Sequence, residues 1–176
     1  MKRLLLPISF LYSIVLFLRH KLYDWKILKS KSYDIPNICV GNLNLGGTGK
    51  TPHIEYLTNL LYENYKTAIL SRGYGRDTKG FILADESHTH HDIGDEPLQY
   101  FKKFKDIKVA VDENRCEGME RLLQEENPPQ VVLLDDAYQH RKIKPGLNIL
   151  LTDYYDLYSK NHLVPAGNLR DIKKAA

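Results

Sequence analysis

Residues 44–51 read Asn44-Leu45-Gly46-Gly47-Thr48-Gly49-Lys50-Thr51 and stand between an apolar run at 35–40 and a helical pattern of Ile54, Leu57, Leu60 and Leu61. Glycines this dense let backbone N–H groups turn toward one point, and a helix beginning directly behind them aims its positive end at the same place. What such a cradle holds is dense negative charge, above all a polyphosphate. The order and spacing are those of a phosphate-binding loop, in which Lys50 reaches the β/γ-phosphates and the Thr51 hydroxyl holds Mg²⁺. All eight residues are therefore candidate nucleotide contacts. The usual pattern has glycine at position 44; Asn44 is expected to replace it because Asn tolerates a left-handed backbone.

A second acidic feature fits the first. Val131-Val132-Leu133-Leu134-Asp135-Asp136 ends a buried run in two carboxylates, the form of the acidic partner of a phosphate loop, with one carboxylate holding Mg²⁺ beside Thr51. Asp95, in Gly94-Asp95-Glu96-Pro97, has two readings: an N-cap for the helix beginning near Pro97, or a base that takes a proton from an attacking hydroxyl. The residues alone favour the cap. Arg72, Arg76, Arg115 and Arg170 lie near expected loops, where guanidinium forks suit phosphate groups. His88, His90, His91 and Asp92 have the composition of metal ligands but no familiar ligand spacing, so a hydrophilic loop is expected there.

These residues need elements to position them. The pattern predicts strands at 67–70, 81–84, 107–111, 131–134 and 147–151 besides the run at 35–40, and helices at 52–65, from Pro97 to about Phe104, and at 114–126. Strands alternating with helices predict an α/β fold, a mainly parallel P-loop NTPase-like sheet flanked by helices. Ligands of such sheets gather at the carboxyl ends of the strands. The glycine loop, Arg72, Tyr74, Asp135 and Asp136 all fall there. At 176 residues and 43% hydrophobic content, the chain suffices for one such domain at 31–176. Cys39 and Cys116 give no disulfide framework and no zinc spacing.

The first 30 residues differ from the rest. Residues 1–50 hold 8 Lys/Arg against 2 Asp/Glu, whereas the remainder holds 17 against 20. The basic surplus flanks a nearly bare apolar stretch at 4–18, with Lys2 and Arg3 before it and Arg19, His20 and Lys21 after it. As a helix that stretch extends roughly 22 Å, short of a bilayer core of about 30 Å. Ile8, Leu11, Val15, Leu18, Leu22 and Trp25 form one helical stripe. Basic residues beside hydrocarbon point to an anionic membrane surface and not to nucleic acid. A helix lying in the membrane interface over 1–30 is expected; packing against the domain's own core is the competing reading, and both can hold along one helix.

The ordered set of Val40-Gly41-Asn42, Gly46-Gly47-Thr48-Gly49-Lys50-Thr51-Pro52, Ser71-Arg72-Gly73-Tyr74-Gly75-Arg76, Gly94-Asp95-Glu96-Pro97, Leu134-Asp135-Asp136-Ala137-Tyr138-Gln139-His140 and Pro165-Ala166-Gly167-Asn168-Leu169-Arg170 resembles the tetraacyldisaccharide 4′-kinase family, the lipid A 4′-kinases. The resemblance implies a peripheral enzyme at the cytoplasmic face of the bacterial inner membrane that moves the γ-phosphate of ATP to the 4′-hydroxyl of an acylated glucosamine disaccharide. It further implies Asp95 as the catalytic aspartate, Lys50 and Asp136 as catalytic partners, Glu96 and Asp135 as Mg²⁺ carboxylates, and Arg72, Tyr74, Arg115, Arg170 and His140 on the substrate side. Members of that family continue into a further portion that supplies a histidine to assist the aspartate, so this chain is expected to represent their N-terminal portion.

Two other readings stay open on the residues alone: a membrane-associated P-loop ATPase or switch, and a nucleotide-binding module without turnover. Many such switches carry lysine just before the paired glycines, where this chain has Leu45, and no Asn-Lys-x-Asp guanine pattern occurs.

Overall fold

The computed structural model describes residues 2–175 and builds them around one six-stranded sheet. Its strands are β1 (Asn37–Asn42), β2 (Thr67–Ser71), β3 (Ile82–Leu83), β4 (Lys108–Val111), β5 (Val131–Asp135) and β6 (Leu147–Leu151), in the spatial order β3-β4-β2-β5-β1-β6. All neighbours are parallel except the short edge pair β3 and β4. Every residue of β2 and β5 is buried, as expected of strands covered on both faces.

Helices α2 (Lys50–Leu61), α4 (Asp95–Lys103) and α5 (Arg115–Leu123) do the covering. Alternation along the strands sorts the core into two layers. Val40, Ile69, Val109 and Leu133 meet Ile54 of α2 and Tyr100 of α4 on one face. Cys39, Leu70, Ala110, Val132 and Leu134 meet Met119 and Leu122 of α5 on the other. Register then aligns the chemistry, because Val40 pairs with Asp135 and Leu70 with Leu134. Ser71, Asp135 and the end of β1 thus share one edge, the carboxyl edge of a parallel sheet.

The expected mainly parallel α/β fold is what forms, with element ends shifted. The helix expected at 52–65 begins at Lys50, directly after Gly49, whose φ of 81° ends the loop. The stretch at 85–92, expected as a loop, contains a one-turn helix, α3 (His90–Ile93), with Asp92 accepting from both the N–H and the hydroxyl of Thr89. That capping box is a local side-chain device and does not appear in hydrophobic periodicity. No grouping of three His, Cys, Asp or Glu side chains suited to a metal ion occurs among the described residues.

At the N-terminus, α1 (Leu6–Asp24) lies beside the domain rather than in its sheet layers. Ser9, Leu16, His20 and Tyr23 form its buried side. Of the expected stripe, Ile8, Leu11, Val15, Leu18 and Trp25 are exposed, whereas Leu22 is half-buried. Two of the basic residues expected at a membrane surface turn inward instead: Arg19 donates to Gln139 O at 2.7 Å and His20 meets Asp171 at 2.7 Å. The side chains of Lys2 and Arg3 lie outside the described residues. No described helix is long and apolar enough to cross a membrane.

Candidate active site

The loop between β1 and α2 is held from below. Asn42, fully buried at the end of β1, donates to Thr48 Oγ1 at 2.8 Å and to Gly46 O at 3.3 Å. Positive φ occurs at Gly46 (108°) and Gly49 (81°), so the chain reverses there without a Cβ obstructing it. Asn44 departs from expectation: its backbone is not left-handed, because it pairs with Leu169 in an antiparallel bridge. Its side-chain amide donates to Asp156 O at 2.8 Å, which turns it toward residues 156–169 and away from a ligand role. Leu45, Gly46, Gly47 and Gly49 stay exposed at the rim, with Thr48, Lys50 and Thr51 half-buried.

Two helix starts meet in front of that loop. The Thr51 hydroxyl donates to Glu96 Oε1 at 2.9 Å, which ties the first turn of α2 to the first turn of α4. The two N-terminal turns are therefore neighbours at the loop. Asp95 opens α4 and is exposed, but it is not the cap; Gly94 occupies the cap position at φ 90°, with no side-chain bond. An added Cβ at Gly94 would lie 2.8 Å from Tyr74 O, so only glycine lets the loop at 72–76 approach the start of α4 this closely. Tyr74 itself is 86% exposed, with its carbonyl packed against Gly94.

The acidic pair splits into two environments. Asp135 is buried, accepts from Ser71 Oγ at 3.1 Å and Tyr100 Oη at 3.5 Å, and leaves Oδ1 with no partner. Burial first, then the charges of Glu96 and Asp136, push its carboxyl up to about 7. Asp136 follows in a left-handed backbone (φ 48°) that swings it off the strand line. Arg170 forks onto it at 3.0 and 2.6 Å, and Lys50 Nζ stands 3.8 Å from Oδ1. The same guanidinium also bonds the Asn42 side chain, so Lys50, Asp136, Arg170 and the loop brace form one network.

A divalent cation fits this donor set. Mg²⁺ takes one or two protein oxygens and fills the rest of its shell with phosphate and water, so no dense cluster of ligands is required. The Thr51 hydroxyl, the Glu96 carboxylate and the orphaned oxygen of Asp135 are hard oxygen donors of the kind such an ion would take. Lys50 and the loop amides have the charge and donors that a phosphate would require.

The remaining candidates fall on the flank facing α1. Arg115, 2% exposed, donates to Asp112 O at 2.7 Å and Asp135 O at 3.3 Å, with Nε unpartnered. Its burial lowers it to about 10. His140 is pushed down to about 4 by burial and by the nearby charges of Arg115, Arg72 and Arg19, so it is neutral at pH 7. Arg19, Arg115, His140, Arg141 and Lys142 line part of a hollow of about 380 Å³. Arg72 is exposed. Arg76 joins Glu113 and Gly80 O and braces the loop. Sequence reasoning passed over Ser71 and Tyr100 as partners of Asp135. Ser71 carries a weak signal, a hydroxyl at a buried strand end, and Tyr100 reads simply as a core residue of an amphipathic helix.

Comparison with known proteins identifies a family with this fold. The family model for Tetraacyldisaccharide-1-P 4'-kinase matches residues 1–176. A tetraacyldisaccharide 4'-kinase of Bacteroides fragilis is 57% identical over 168 residues, covering 95% of this chain and 45% of that protein. One from Flavobacterium johnsoniae is 52% identical over 176 residues, covering 100% of this chain and 52% of that protein. A crystal structure described as the "apo" form of LpxK from Aquifex aeolicus in complex with ATP superposes with a TM-score of 0.89 at 40% identity, over 99% of this chain and 55% of that one. The chain thus spans about half the length of the relatives it matches. Matched from end to end by the family model, and sharing over half its residues with curated members, the chain belongs to the tetraacyldisaccharide-1-P 4'-kinase family.

Proposed function

We propose that this chain carries the nucleotide-binding and phosphoryl-transfer core of a lipid A 4′-kinase, which moves the γ-phosphate of ATP to the 4′-hydroxyl of a tetraacylated glucosamine disaccharide 1-phosphate. The observation that carries the proposal is the convergence of Lys50, the Thr51–Glu96 pair and the Asp135–Asp136 step at one sheet edge, directly before two helix N-termini. The names of the relatives and the ATP complex of the structural neighbour supply the substrate and the donor.

Phosphoryl transfer asks a protein mostly for alignment and charge neutralisation. Residues 44–51 would lay amide donors along the triphosphate, with Lys50 on the β/γ-phosphates. Thr51, Glu96 and Asp135 would hold Mg²⁺, which supplies neutralisation of the phosphate oxygens. Asp95, exposed at the start of α4, would accept the proton of the sugar hydroxyl. Asp136, gripped by Arg170 and near Lys50, keeps the lysine from straying before substrate arrives. Arg72 and Tyr74 would face the disaccharide, with His140 and Arg170 behind them; Arg115, buried and bonded to Asp112 O and Asp135 O, would hold the end of β5 in place rather than touch the sugar as the resemblance implies. The exposed apolar side of α1 would rest in the cytoplasmic surface of the inner membrane, where the acyl chains of the substrate lie.

The test is transfer of label from [γ-³²P]ATP to the acylated disaccharide by the full-length protein. Labelled lipid is expected from the wild type and none from Lys50→Ala. Labelled inorganic phosphate without labelled lipid would favour an ATPase instead, and equal lipid labelling by Lys50→Ala would refute the site.

A further inference from the structure

The buried side of α1 is bonded to the very segment that carries Arg170. Ser9 Oγ donates to Leu163 O and accepts from Ala166 N, both at 3.0 Å. Tyr12 Oη donates to Arg170 O at 3.2 Å. His20 Nε2 meets Asp171 Oδ1 at 2.7 Å, both residues being buried. Chemistry decides the direction of that last bond. Arg141 approaches His20 Nδ1 at 3.0 Å, and a guanidinium can only donate, so Nδ1 accepts and the ring proton resides on Nε2. His20 is thus a donor to Asp171, oriented by Arg141, which also holds His20 O and Asp24.

The far side of the same segment reaches the site. Arg170 N donates to Leu43 O at 2.9 Å, Leu45 N donates to Asn168 O at 2.6 Å, and Leu169 bridges Asn44. Residues 168–170 therefore run against the root of the glycine loop like an added strand. From there the Arg170 fork sets Asp136 and Asn42, and Asn42 braces Thr48. Asp171 and the Arg170 carbonyl, both bonded to α1, thus adjoin the fork on Asp136.

We propose that His20 is a positioning residue for phosphoryl transfer, which sets the Arg170–Asp136 pair through Asp171, so that the helix with the exposed apolar face also trues the active site. This rests on the kinase reading above. His20 touches neither nucleotide nor lipid. A helix that seats on a lipid surface through Ile8, Leu11, Val15 and Leu18 would then complete the site where the substrate is found.

The experiment uses the full-length protein, labelled ATP and acylated disaccharide 1-phosphate in mixed micelles. His20→Ala should lower kcat by about ten- to a hundredfold, the scale of a small misplacement, while KM for Mg-ATP changes by less than about twofold. His20→Gln offers Nε2–H to Asp171 and Oε1 to Arg141, and should restore most of the lost kcat. Arg170→Lys with His20→Ala should be no slower than Arg170→Lys alone, because residues acting through one another are not additive. If His20→Ala fails to fold, Tyr12→Phe carries the test, with an expected drop of a few-fold in kcat at unchanged thermal stability. Full kcat in His20→Ala or Tyr12→Phe, multiplied losses in the double variant, or no recovery with Gln would overturn the proposal. Wild-type protein that binds Mg-ATP yet labels no lipid would instead overturn the kinase reading, and this proposal with it.

Discussion

Asp135 is held in a position that disfavours its own charge. It is buried among Ser71, Tyr100 and the main chain near Arg115, with two further carboxylates close by and one oxygen unpaired. For a carboxyl raised from 3.8 to about 7, the folded chain holds a proton that the unfolded chain has already released across that window. Stability contributed at this position therefore falls as pH rises from about 4 to 7 and is level above it. Asp135→Asn keeps the acceptor oxygen and removes the charge. It should raise Tm at pH 8 at about 2–4 °C per kcal/mol released, with an advantage that fades toward pH 4. The same variant should lose kinase activity. Parallel Tm curves for the two proteins between pH 4 and 8 would show that Asp135 is not strained. A carboxylate kept at such cost is one whose compensating charge arrives with a ligand, which fits Mg²⁺ beside Thr51 and Glu96.

At the scale of elements, α1 has two sides with opposite needs. Its outer side exposes Ile8, Leu11, Val15 and Leu18 in a row, more apolar surface than a lone surface helix retains in water without a partner. Val15→Asp with Leu18→Asp should leave the fold intact, since neither side chain is buried. Losing about 1.5–3 kcal/mol for each apolar side chain should weaken sedimentation with anionic phospholipid vesicles by at least about a hundredfold. Unchanged sedimentation would mean that this stripe makes no lipid contact. The outer stripe was legible as a three- and four-residue period. The inner side was not, because Ser9 and His20 find their partners 154 and 151 residues away, and a polar residue gives no sign of so distant a mate. The start of α4 shows a related limit. Asp95 reads as a cap, yet Gly94 takes that position because the backbone of Tyr74 leaves no space for a Cβ.

For the whole molecule, the sheet order matters more than any one motif. Placing β5 between β1 and β2 brings the glycine loop, the acidic pair and Ser71 to adjacent strand ends. A ligand held across those ends ties together elements that are distant in sequence. Mg-ATP at a hundred times its Kd should stabilise the folded protein by about 2.7 kcal/mol, which raises Tm by roughly 5–10 °C. Lys50→Ala should abolish most of that shift without lowering Tm in the absence of nucleotide. An equal shift in both proteins would mean that the nucleotide binds somewhere other than residues 44–51.

The chain order alone was enough for the α/β class and the mainly parallel sheet, and it singled out residues 44–51 and the Asp135–Asp136 step, which the fold brings to one sheet edge. Each of these depends on local rules: the period of apolar residues, glycines ahead of a helix, carboxylates ending a buried run. Tertiary structure alone decided that Asn44 anchors to Asp156 and Leu169 instead of turning left-handed, that Arg170 grips Asp136, and that Arg19 and His20 dock α1 rather than face outward. Those outcomes depend on which distant side chain completes a hydrogen bond once water is excluded, and local spacing carries no record of that.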